Sequence, residues 1–544
     1  MSARMNGGDA IVRSLLLHGV DTVFGLPGVQ TYHLFDALQR AGDQMRVFCP
    51  RHEQTTAYMA FGYARATGRE GVYSVVPGPG VLNAGAALCS AYGASTPLLC
   101  LTGQVPSAYL GQGRMHLHEL PDQLATLRLL TKWAARIDHP AEAPGVMAEA
   151  FRQMRSGRPR PVSVEMPWDV FGQQVPEATL PLAAPAAHPT PDPVALDAAV
   201  ALLRDAAHPM ILVGGGAQHA GDAVLALAER LQAPVVPFRG GKGVVSDEHP
   251  LSLNCAAGYR CWADTDAVVC IGSRMELAWF RWPDGGRRRR TVLIDVDPLQ
   301  AVRLSPEVLL LADAREGSLR LDEALAAAGV QRASRQEHFQ AVKAASAAAT
   351  RKVQPQMDYL AVIREVLPRD GFFVEEICQA GFTSYYGFPV YEPRTFVTCG
   401  PQGTLGFGYP TALGVKAAFP ERAVVSIAGD GGFQFGLQEL ATAAQYGLGV
   451  VAVVFDNSAY GNVLRDQTRL FGGRVIASEL RNPDFVRVAE SFGVAGYRAH
   501  TPAALRPALE HALASDAPAL IHVPVDRGAE VSPWEFLMPA PYAV

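Results

Sequence analysis

One stretch, Ala423–Gly461, constrains the fold of this 544-residue chain more than any other. It opens with the apolar run Ala423–Ala428, turns at Gly429–Gly432, and closes with a second apolar run, Val450–Phe455. Short valine-rich runs of this kind are typical of buried parallel strands. Between them lie apolar residues at helical spacing, namely Phe435, Leu437, Leu440, Ala441 and Ala444. Gly447 follows as a natural helix stop. The pattern predicts a strand, a turn, one helix and a second strand.

The two turns of this unit predict a ligand site. In a right-handed βαβ unit both turns lie at the carboxyl edge of adjacent strands, where open α/β sheets bind ligands. Asp430 and Asn457, 27 positions apart, would therefore face one point. A carboxylate from Asp430, an amide oxygen from Asn457 and the Ala459 carbonyl would suit Mg²⁺, and backbone N–H groups of 431–432 would suit a diphosphate. The alternative is that both are ordinary turns.

Three α/β domains are expected from the length and from the alternation of helical and strand patterns. We place them at 1–175, 193–340 and 358–544. A proline-rich segment, Phe171–Leu196, separates the first two, and Ala341–Met357 connects the second to the third. The glycine run at 214–217 in the central part does not match a dinucleotide fingerprint.

Bulk properties exclude several classes of protein. The net charge is only −5 and no long basic run occurs, so no nucleic-acid partner is expected. No segment has the roughly 18 uninterrupted apolar residues of a membrane span, and the N-terminus lacks a signal-peptide profile. The eight cysteines form no C-x-x-C pair and are interpreted as small buried hydrophobes of a cytoplasmic protein.

The chain resembles the thiamine-diphosphate (ThDP) enzymes. The stretch from Gly429 looks like their cofactor motif, which begins GDG and closes with NN after about two dozen residues; here 24 residues lie between Gly431 and Asp456. Asp456 replaces the first Asn of that pair, but Asn457, the metal ligand of the family, is present. FGLPG, RHEQ, FGYARATG, GPGVLNA and TGQVP follow in the order seen in acetolactate-synthase-like enzymes. The resemblance implies three doubly wound parallel-sheet domains: pyrimidine-binding, central and diphosphate-binding.

The resemblance also implies roles for individual residues. Glu53 of RHEQ matches the Glu that hydrogen-bonds the aminopyrimidine and so promotes removal of the thiazolium C2 proton; without the resemblance it would be read as a surface charge at a helix start. Gln104 of TGQVP is a further catalytic candidate. Metal ligands would be Asp430, Asn457 and Ala459. The cofactor-binding set would be Pro27, Gly28, Gly78, Asn83, Gly403, Leu405, Gly429, Gly431, Gly432, Asn457 and Val463, with Leu405 propping the bent cofactor.

Three departures from acetolactate synthase concern the substrate side. After Asn457 that family usually carries Met and Trp where this chain has Asn462 and Asp466. A His pair, His116 and His118, occupies the loop after GQVP; on an extended segment the two would share a face, and in pyruvate-decarboxylase-like relatives such a pair handles protons. The FDDR-type run of FAD-containing members is absent. Arg465 and Asp466 either contact substrate or pair on a helix surface.

We therefore expect a ThDP- and Mg²⁺-dependent enzyme that decarboxylates a 2-oxo acid with carboligation. The alternatives are a hydroxy-ketone or 2-hydroxyacyl-CoA lyase, a non-catalytic homologue, and an oxidoreductase built on the central domain. FAD in the central domain is a further option beside a purely structural role. The family arrangement implies a homodimer or homotetramer with active sites at subunit interfaces, where Glu53 and Asp430 of different subunits meet.

Overall fold

The computed structural model describes residues 4–177, 179–184, 189–283 and 289–539, and within them the chain folds around three parallel sheets. Helices cover both faces of each sheet, which confirms the predicted α/β class. Because both faces are covered, the central strands are apolar throughout: Val450–Asp456, for example, is buried up to Phe455. Part of the proline-rich connector and the last five residues lie outside the described residues.

The first domain has six parallel strands in the order β3-β2-β4-β5-β7-β6, and β1 pairs with β8 in an antiparallel ribbon. Its elements are β1 (Arg4–Met5), α1 (Gly7–Leu17), β2 (Thr22–Gly25), α2 (Tyr32–Arg40), β3 (Arg46–Phe48), α3 (Glu53–Thr67), β4 (Gly71–Val75), α4 (Pro79–Asn83), α5 (Gly85–Ala94), β5 (Leu98–Gln104), α6 (Gln123–Leu130), β6 (Trp133–Arg136), α7 (Ala143–Arg155), β7 (Val162–Pro167), α8 (Trp168–Gly172) and β8 (Val175–Pro176). Two of these helices, α4 and α5, meet at Ala84.

The central domain has five parallel strands in the order β10-β9-β11-β12-β13. Its elements, with the connecting helix α14, are α9 (Pro193–Arg204), β9 (Pro209–Val213), α10 (Gly221–Leu231), β10 (Val235–Pro237), α11 (Cys255–Trp262), β11 (Ala267–Ile271), β12 (Arg290–Asp295), α12 (Pro298–Leu304), β13 (Val308–Leu311), α13 (Ala314–Ala327) and α14 (Gln336–Thr350).

The third domain has six parallel strands in the order β15-β14-β16-β17-β19-β18. Its elements are α15 (Gln356–Val366), β14 (Phe372–Val374), α16 (Gln379–Gly387), β15 (Phe396–Val397), α17 (Gly408–Ala418), β16 (Val424–Gly429), α18 (Asp430–Phe433), α19 (Leu440–Tyr446), β17 (Val450–Asp456), α20 (Gly461–Leu470), α21 (Phe485–Ser491), β18 (Ala495–Arg498), α22 (Pro502–Ser515), β19 (Ala519–Pro524) and α23 (Trp534–Leu537).

The helix predicted between β16 and β17 is interrupted. It consists of α18, a 3₁₀ turn at Leu437–Glu439, and α19, and Phe435 is exposed instead of lying on a continuous apolar face. Gly436 has a non-helical φ of −123°, and a Cβ there would lie 2.8 Å from Pro410 Cγ. The break thus lets the chain pass close to the start of α17.

Helices α3 and α17 join the first and third domains by direct backbone contact. A Cβ on Gly414 would lie 1.9 Å from the Met59 carbonyl oxygen, and one on Gly62 would lie 2.1 Å from the Thr411 carbonyl oxygen. Only glycine fits at either position, because the obstructing atoms belong to the backbone. The two domains therefore form one packed unit.

All eight cysteines are free, and Cys89 is exposed, so the expectation that the cysteines are buried is wrong for that residue. Within the described ranges no helix is both long and apolar enough to cross a membrane.

Candidate functional site

The turns that contain Asp430 and Asn457 lie at the carboxyl edge of the third sheet. Gly429 at the end of β16 pairs in register with Phe455 of β17, so the segments that follow both strands leave the sheet side by side. Asp430 is only 3% exposed, and its Oδ2 accepts hydrogen bonds from the Ala459 N–H at 3.2 Å and the Asn482 amide at 2.6 Å. The structure thus brings Asp430, Asn457 and Ala459 together at one cavity.

Asn457 presents an oxygen that is suited to a cation. Its Nδ2 donates to Glu530 Oε2 at 2.8 Å, while its buried Oδ1 has no hydrogen-bond partner among the described residues. A buried acceptor without a donor is costly, and a bound metal removes that cost. The described residues contain no group of three or more His, Cys, Asp or Glu placed to hold a metal. The donor set is instead one carboxylate with amide and carbonyl oxygens, the kind that suits Mg²⁺.

Asp456, which stands where the family has Asn, is held in a polar network. Its Oδ2 lies 2.9 Å from His522 Nε2, and its Oδ1 accepts from Asn482 Nδ2 at 2.7 Å and from the Ser458 N–H at 2.9 Å. Burial alone would raise the pKa of Asp456, but these three hydrogen bonds lower it to about 2. Burial and the Asp456 charge raise the pKa of Asp430 to about 6, against the hydrogen bond from Asn482.

The glycines of the turn are packed on the sides where a Cβ would stand. A Cβ on Gly431 would lie 2.6 Å from the Tyr460 ring, and one on Gly432 would lie 1.9 Å from Glu376 Oε1. Both residues therefore need to be glycine for this turn to close. Gly429, Gly431, Gly432, Gly403, Leu405 and Val463 all line the same cavity as Asn457.

Glu376 fixes the glycine-rich loop that carries Leu405. It is fully buried, and its two oxygens accept hydrogen bonds from the Gly406 and Gly408 N–H groups, each at 2.8 Å. Burial raises the pKa of Glu376 to about 7 even though both N–H groups oppose the shift. Glu376 was not among the predicted site residues. The available signal was the pair of acidic residues, Glu375 and Glu376, directly after the apolar run of β14.

Glu53 is not among the residues that line the cavity beside Asp430. It is the first residue of α3, which is capped by His52, and its Oε2 accepts a hydrogen bond from Asn83 Nδ2 at 3.0 Å. The cavity beside Asp430 is lined only by residues between 377 and 530, all from the third domain. A single chain therefore does not bring Glu53, Asn83, Pro27 or Gly28 together with the predicted metal ligands.

The loop with His116 and His118 is a turn, so the idea that an extended segment gives both rings one face is wrong. The Glu119 N–H donates to the His116 carbonyl at 2.8 Å, and His118 has φ of +67°. The His116 ring stacks on Tyr109 with 4.0 Å between ring centroids. His118 Nδ1 instead lies 3.0 Å from Gln30 Oε1, and its carbonyl lies 2.5 Å from where a Cβ on Gly78 would stand.

Gln104 belongs to a buried network within the first domain. Its Oε1 accepts from the Val105 N–H at 2.8 Å and its Nε2 donates to Glu165 Oε2 at 3.4 Å. Gln123 also donates to Glu165, at 2.8 Å, and accepts from the Gly78 N–H at 2.8 Å. The network connects Gln104 to the turn that contains Gly78, while its predicted catalytic role stays a prediction.

The substitutions at Asn462 and Asp466 form a cluster with the C-terminal segment. Arg465 donates to Asn462 Oδ1 at 2.7 Å, to Asp466 Oδ1 at 3.2 Å and to Ser532 Oγ at 2.8 Å. Trp534 Nε1 also donates to Asn462 Oδ1, at 2.9 Å. Arg465 and Asp466 thus pair with each other, which was one of the two predicted arrangements.

A second cavity, of about 510 Å³, lies where the central domain meets the two others. It is lined by the turns that follow β9 and β11, residues 214–216 and 272–274, and by the Arg65 side chain. Arg65 forms no ion pair with a described residue, and burial and repulsion from Arg394 lower its pKa to about 10. An unpaired guanidinium beside a cavity favours an anionic ligand.

The chain is similar to known proteins in all three of its domains. Three domain models of thiamine pyrophosphate enzymes match: the N-terminal TPP binding domain over residues 5–126, the central domain over 196–321 and the C-terminal TPP binding domain over 376–523.

Curated relatives match along almost the whole chain. A probable 2-ketoarginine decarboxylase of Pseudomonas aeruginosa is 36% identical over 521 residues, which is 90% of this chain and 89% of the relative. A probable acetolactate synthase large subunit of Methanocaldococcus jannaschii is 31% identical, covering 96% and 92%. A glyoxylate carboligase of Escherichia coli O157:H7 is 32% identical, covering 97% and 95%.

Proposed function

The chain belongs to the thiamine-diphosphate enzyme family, in the group of decarboxylases and carboligases, and we propose that it uses ThDP and Mg²⁺ to decarboxylate a 2-oxo acid. The remaining acyl unit is then protonated or joined to an acceptor carbonyl. The names of the relatives support this reaction class, and acetolactate-synthase-like carboligation is one of its two outcomes.

The observation that carries the proposal is a pair of oxygen ligands at the edge of the third sheet: the buried carboxylate of Asp430, and Asn457 Oδ1, which bonds no described residue. Together with the Ala459 carbonyl they would hold Mg²⁺ against the diphosphate. Leu405, held in place by Glu376, would support the bent cofactor. When bound, the cofactor supplies the nucleophilic carbon and the electron sink.

Residues of the first domain complete the site from a second copy of the chain. Glu53 would accept a hydrogen bond from the aminopyrimidine, and Asn83, which now holds its carboxylate, would keep it oriented. Because none of these residues lines the Asp430 cavity of its own chain, a dimer in which they face Asp430 of the partner subunit is the smallest complete enzyme. His118, beside Gly78, and His116 would lie in this half of the site and exchange protons with the substrate.

The test is CO₂ release from a panel of 2-oxo acids, with and without an aldehyde acceptor, after removal and readdition of ThDP and Mg²⁺. The Glu53→Gln variant is expected to lose at least about 100-fold in rate. Its thermal unfolding should be unchanged, since Glu53 is partly exposed and bonds only Asn83 among the described side chains. Glu421→Gln, on an exposed turn, is the matched control.

Two results would contradict the proposal. Turnover that does not need ThDP would remove the cofactor assignment. Cleavage of a hydroxy ketone or a 2-hydroxyacyl thioester, with no 2-oxo acid consumed, would assign the lyase reaction instead.

For the second cavity we propose a phosphate-bearing nucleotide, with FAD as the first candidate. The unpaired Arg65 supports this, because a diphosphate would neutralise a guanidinium that no described acid contacts. Visible flavin absorbance of the purified protein, and its release on unfolding, test the candidate. A colourless protein that binds no added FAD would leave the central domain with a structural role.

A further inference from the structure

Gln30 is a buried glutamine of the first domain that bonds two consecutive residues, Leu117 and His118. It lies in the 3₁₀ turn Val29–Thr31 that follows β2, and it is only 3% exposed. Its Nε2 donates to the Leu117 carbonyl at 2.9 Å, and its Oε1 lies 3.0 Å from His118 Nδ1. Gln30 therefore connects the turn after β2 directly to the ring of His118.

The partners of Gln30 determine which hydrogen the His118 ring carries. A carbonyl oxygen only accepts hydrogen bonds, so the atom that faces the Leu117 carbonyl has to be the amide nitrogen of Gln30. The amide oxygen then faces His118 Nδ1, and because that oxygen has no hydrogen to donate, Nδ1 must carry one. Since the hydrogen bond of one ring nitrogen sets the state of the other, neutral His118 has its free lone pair on Nε2.

The backbone of His118 is held next to the other residues assigned to the pyrimidine half of the site. His118 has φ of +67°, and its carbonyl packs against Gly78, where a Cβ would lie 2.5 Å from the carbonyl oxygen. Gly78 caps α4, and the last residue of that helix, Asn83, donates to Glu53 Oε2. Five helical residues span about 7.5 Å, so the His118 backbone and the Glu53 carboxylate contact the two ends of one short helix.

The second nitrogen of the His118 ring is available to a ligand. Nε2 bonds no described residue, and it is not among the buried side-chain atoms that have no partner. His116 Nε2, by contrast, is buried and bonds no described residue, and the His116 ring stacks on Tyr109. His118 therefore presents an accessible ring nitrogen whose protonation state is set by its neighbour.

We propose that Gln30 is a positioning residue, which holds His118 in the Nδ1–H tautomer so that every proton exchanged with the substrate passes through Nε2. The inference rests on the proposed function, in which His118 exchanges protons with the substrate. When Nε2 accepts a proton the ring becomes an imidazolium, and when it donates that proton the ring returns to the neutral Nδ1–H form. The hydrogen bond from Nδ1 to Gln30 is kept in both states, so the ring does not have to rotate between them.

Ring ¹⁵N NMR of the ThDP- and Mg²⁺-loaded enzyme, labelled in its histidines, reports the tautomer directly. The His118 signals are those that disappear in His118→Asn, because asparagine tolerates the left-handed backbone and keeps a donor where Nδ1 stands. At a pH where the ring is neutral we expect a protonated Nδ1 and an unprotonated Nε2, and loss of this preference in Gln30→Leu. A wild-type ring that carries its hydrogen on Nε2 would overturn the proposal.

A matched pair of substitutions separates positioning from packing. Gln30→Glu and Gln30→Leu both remove the amide nitrogen that donates to the Leu117 carbonyl, but only glutamate keeps an acceptor for His118 Nδ1. Turnover of the 2-oxo acid should fall by about 10-fold or more in Gln30→Leu and by less in Gln30→Glu. Equal losses would show that Gln30 only packs the loop, and the proposal would be overturned. Gln39→Leu, on the exposed side of α2, is the control and should keep the wild-type rate.

The measurements also distinguish this inference from the proposed reaction. The NMR experiment requires no turnover, so it tests the tautomer whichever substrate the enzyme uses. His118→Asn should lower turnover by about 100-fold or more with an unchanged Tm, because it lacks Nε2 and keeps the donor to Gln30. Wild-type turnover in that variant would overturn the proposal, whereas absence of CO₂ release from every 2-oxo acid would refute the proposed reaction.

Discussion

Glu376 is the buried group whose replacement has the clearest predicted effect. Its carboxylate is fully buried between the loop N–H groups of Gly406 and Gly408, and its pKa is raised from 4.5 to about 7. Glutamine has a similar shape and carries no charge, but its amide nitrogen cannot accept one of the two N–H bonds, so Glu376→Gln should be less stable than the wild type at low pH. We also expect the variant to lose the pH dependence of stability that the carboxyl group brings.

The sign and the size follow from proton linkage. Between its unfolded and folded pKa values, Glu376 is ionised in the unfolded chain but still protonated in the folded one, so the folded state binds more protons and stability falls as pH rises. Raising the pKa from 4.5 to about 7 lowers the free energy of unfolding by about 3 kcal/mol once the pH is well above 7. About 2–3 kcal/mol of this decrease occurs between pH 5 and pH 8. Glu376→Gln lacks this loss, so its stability relative to the wild type should rise as the pH increases.

Thermal unfolding of the cofactor-free protein, followed by circular dichroism at pH 5, 6, 7 and 8, measures this. For a domain of this size about 1 kcal/mol shifts Tm by roughly 2–4 °C, so the Tm of the variant relative to that of the wild type should rise by about 5–10 °C across the series. Glu421→Gln, at an exposed position, should run parallel to the wild type. A Glu376→Gln curve that is also parallel would refute the reasoning, because the carboxylate would then be ionised in the fold at no cost.

Two further changes test the packing and the metal site. Gly414→Ala places a Cβ 1.9 Å from the Met59 carbonyl oxygen and should lower the free energy of unfolding by about 1–3 kcal/mol or more, measured by thermal unfolding. Gly145→Ala is the control, because no described atom lies within 4 Å of its Cβ, and it should not destabilise the protein. Equal Tm values for the two variants would contradict the contact. Asn457→Ala removes an Oδ1 that bonds no described residue, and it should raise the Mg²⁺ concentration for half-maximal activity by about 10-fold or more. An unchanged Mg²⁺ requirement would show that the amide oxygen is not a ligand.

The sheet elements could be predicted because their signals are local. The apolar runs of β16 and β17 and the glycine turn after β16 determine strand, turn and edge without reference to distant residues. The helix between them was predicted as continuous because its apolar spacing is regular. Its interruption at Gly436 depends on Pro410, which lies 26 residues earlier and reaches the turn only through the fold.

Site residues could be predicted only where they belong to a recognisable sequence motif. Asp430, Asn457 and Ala459 lie in one such motif and line one cavity. Glu376 and Glu530 belong to no recognised motif, and each matters through a partner distant in sequence: Gly406 for the first, Asn457 for the second. The conformation of the His116–His118 loop could not be predicted from the sequence either, because the position of His118 depends on Gln30 in another part of the domain.

The backbone contact between α3 and α17 has a consequence for how the enzyme works over time. Glu53 begins α3, and the loop fixed by Glu376 leads directly into α17. In the proposed dimer these two ends belong to different catalytic centres, yet Gly62 and Gly414 leave no space for one helix to slide along the other. A shift of the pyrimidine-facing carboxylate in one centre would therefore displace the loop that supports the cofactor in the other. Because the tightly packed pair of helices α3 and α17 connects the two centres, their reaction cycles would not be independent.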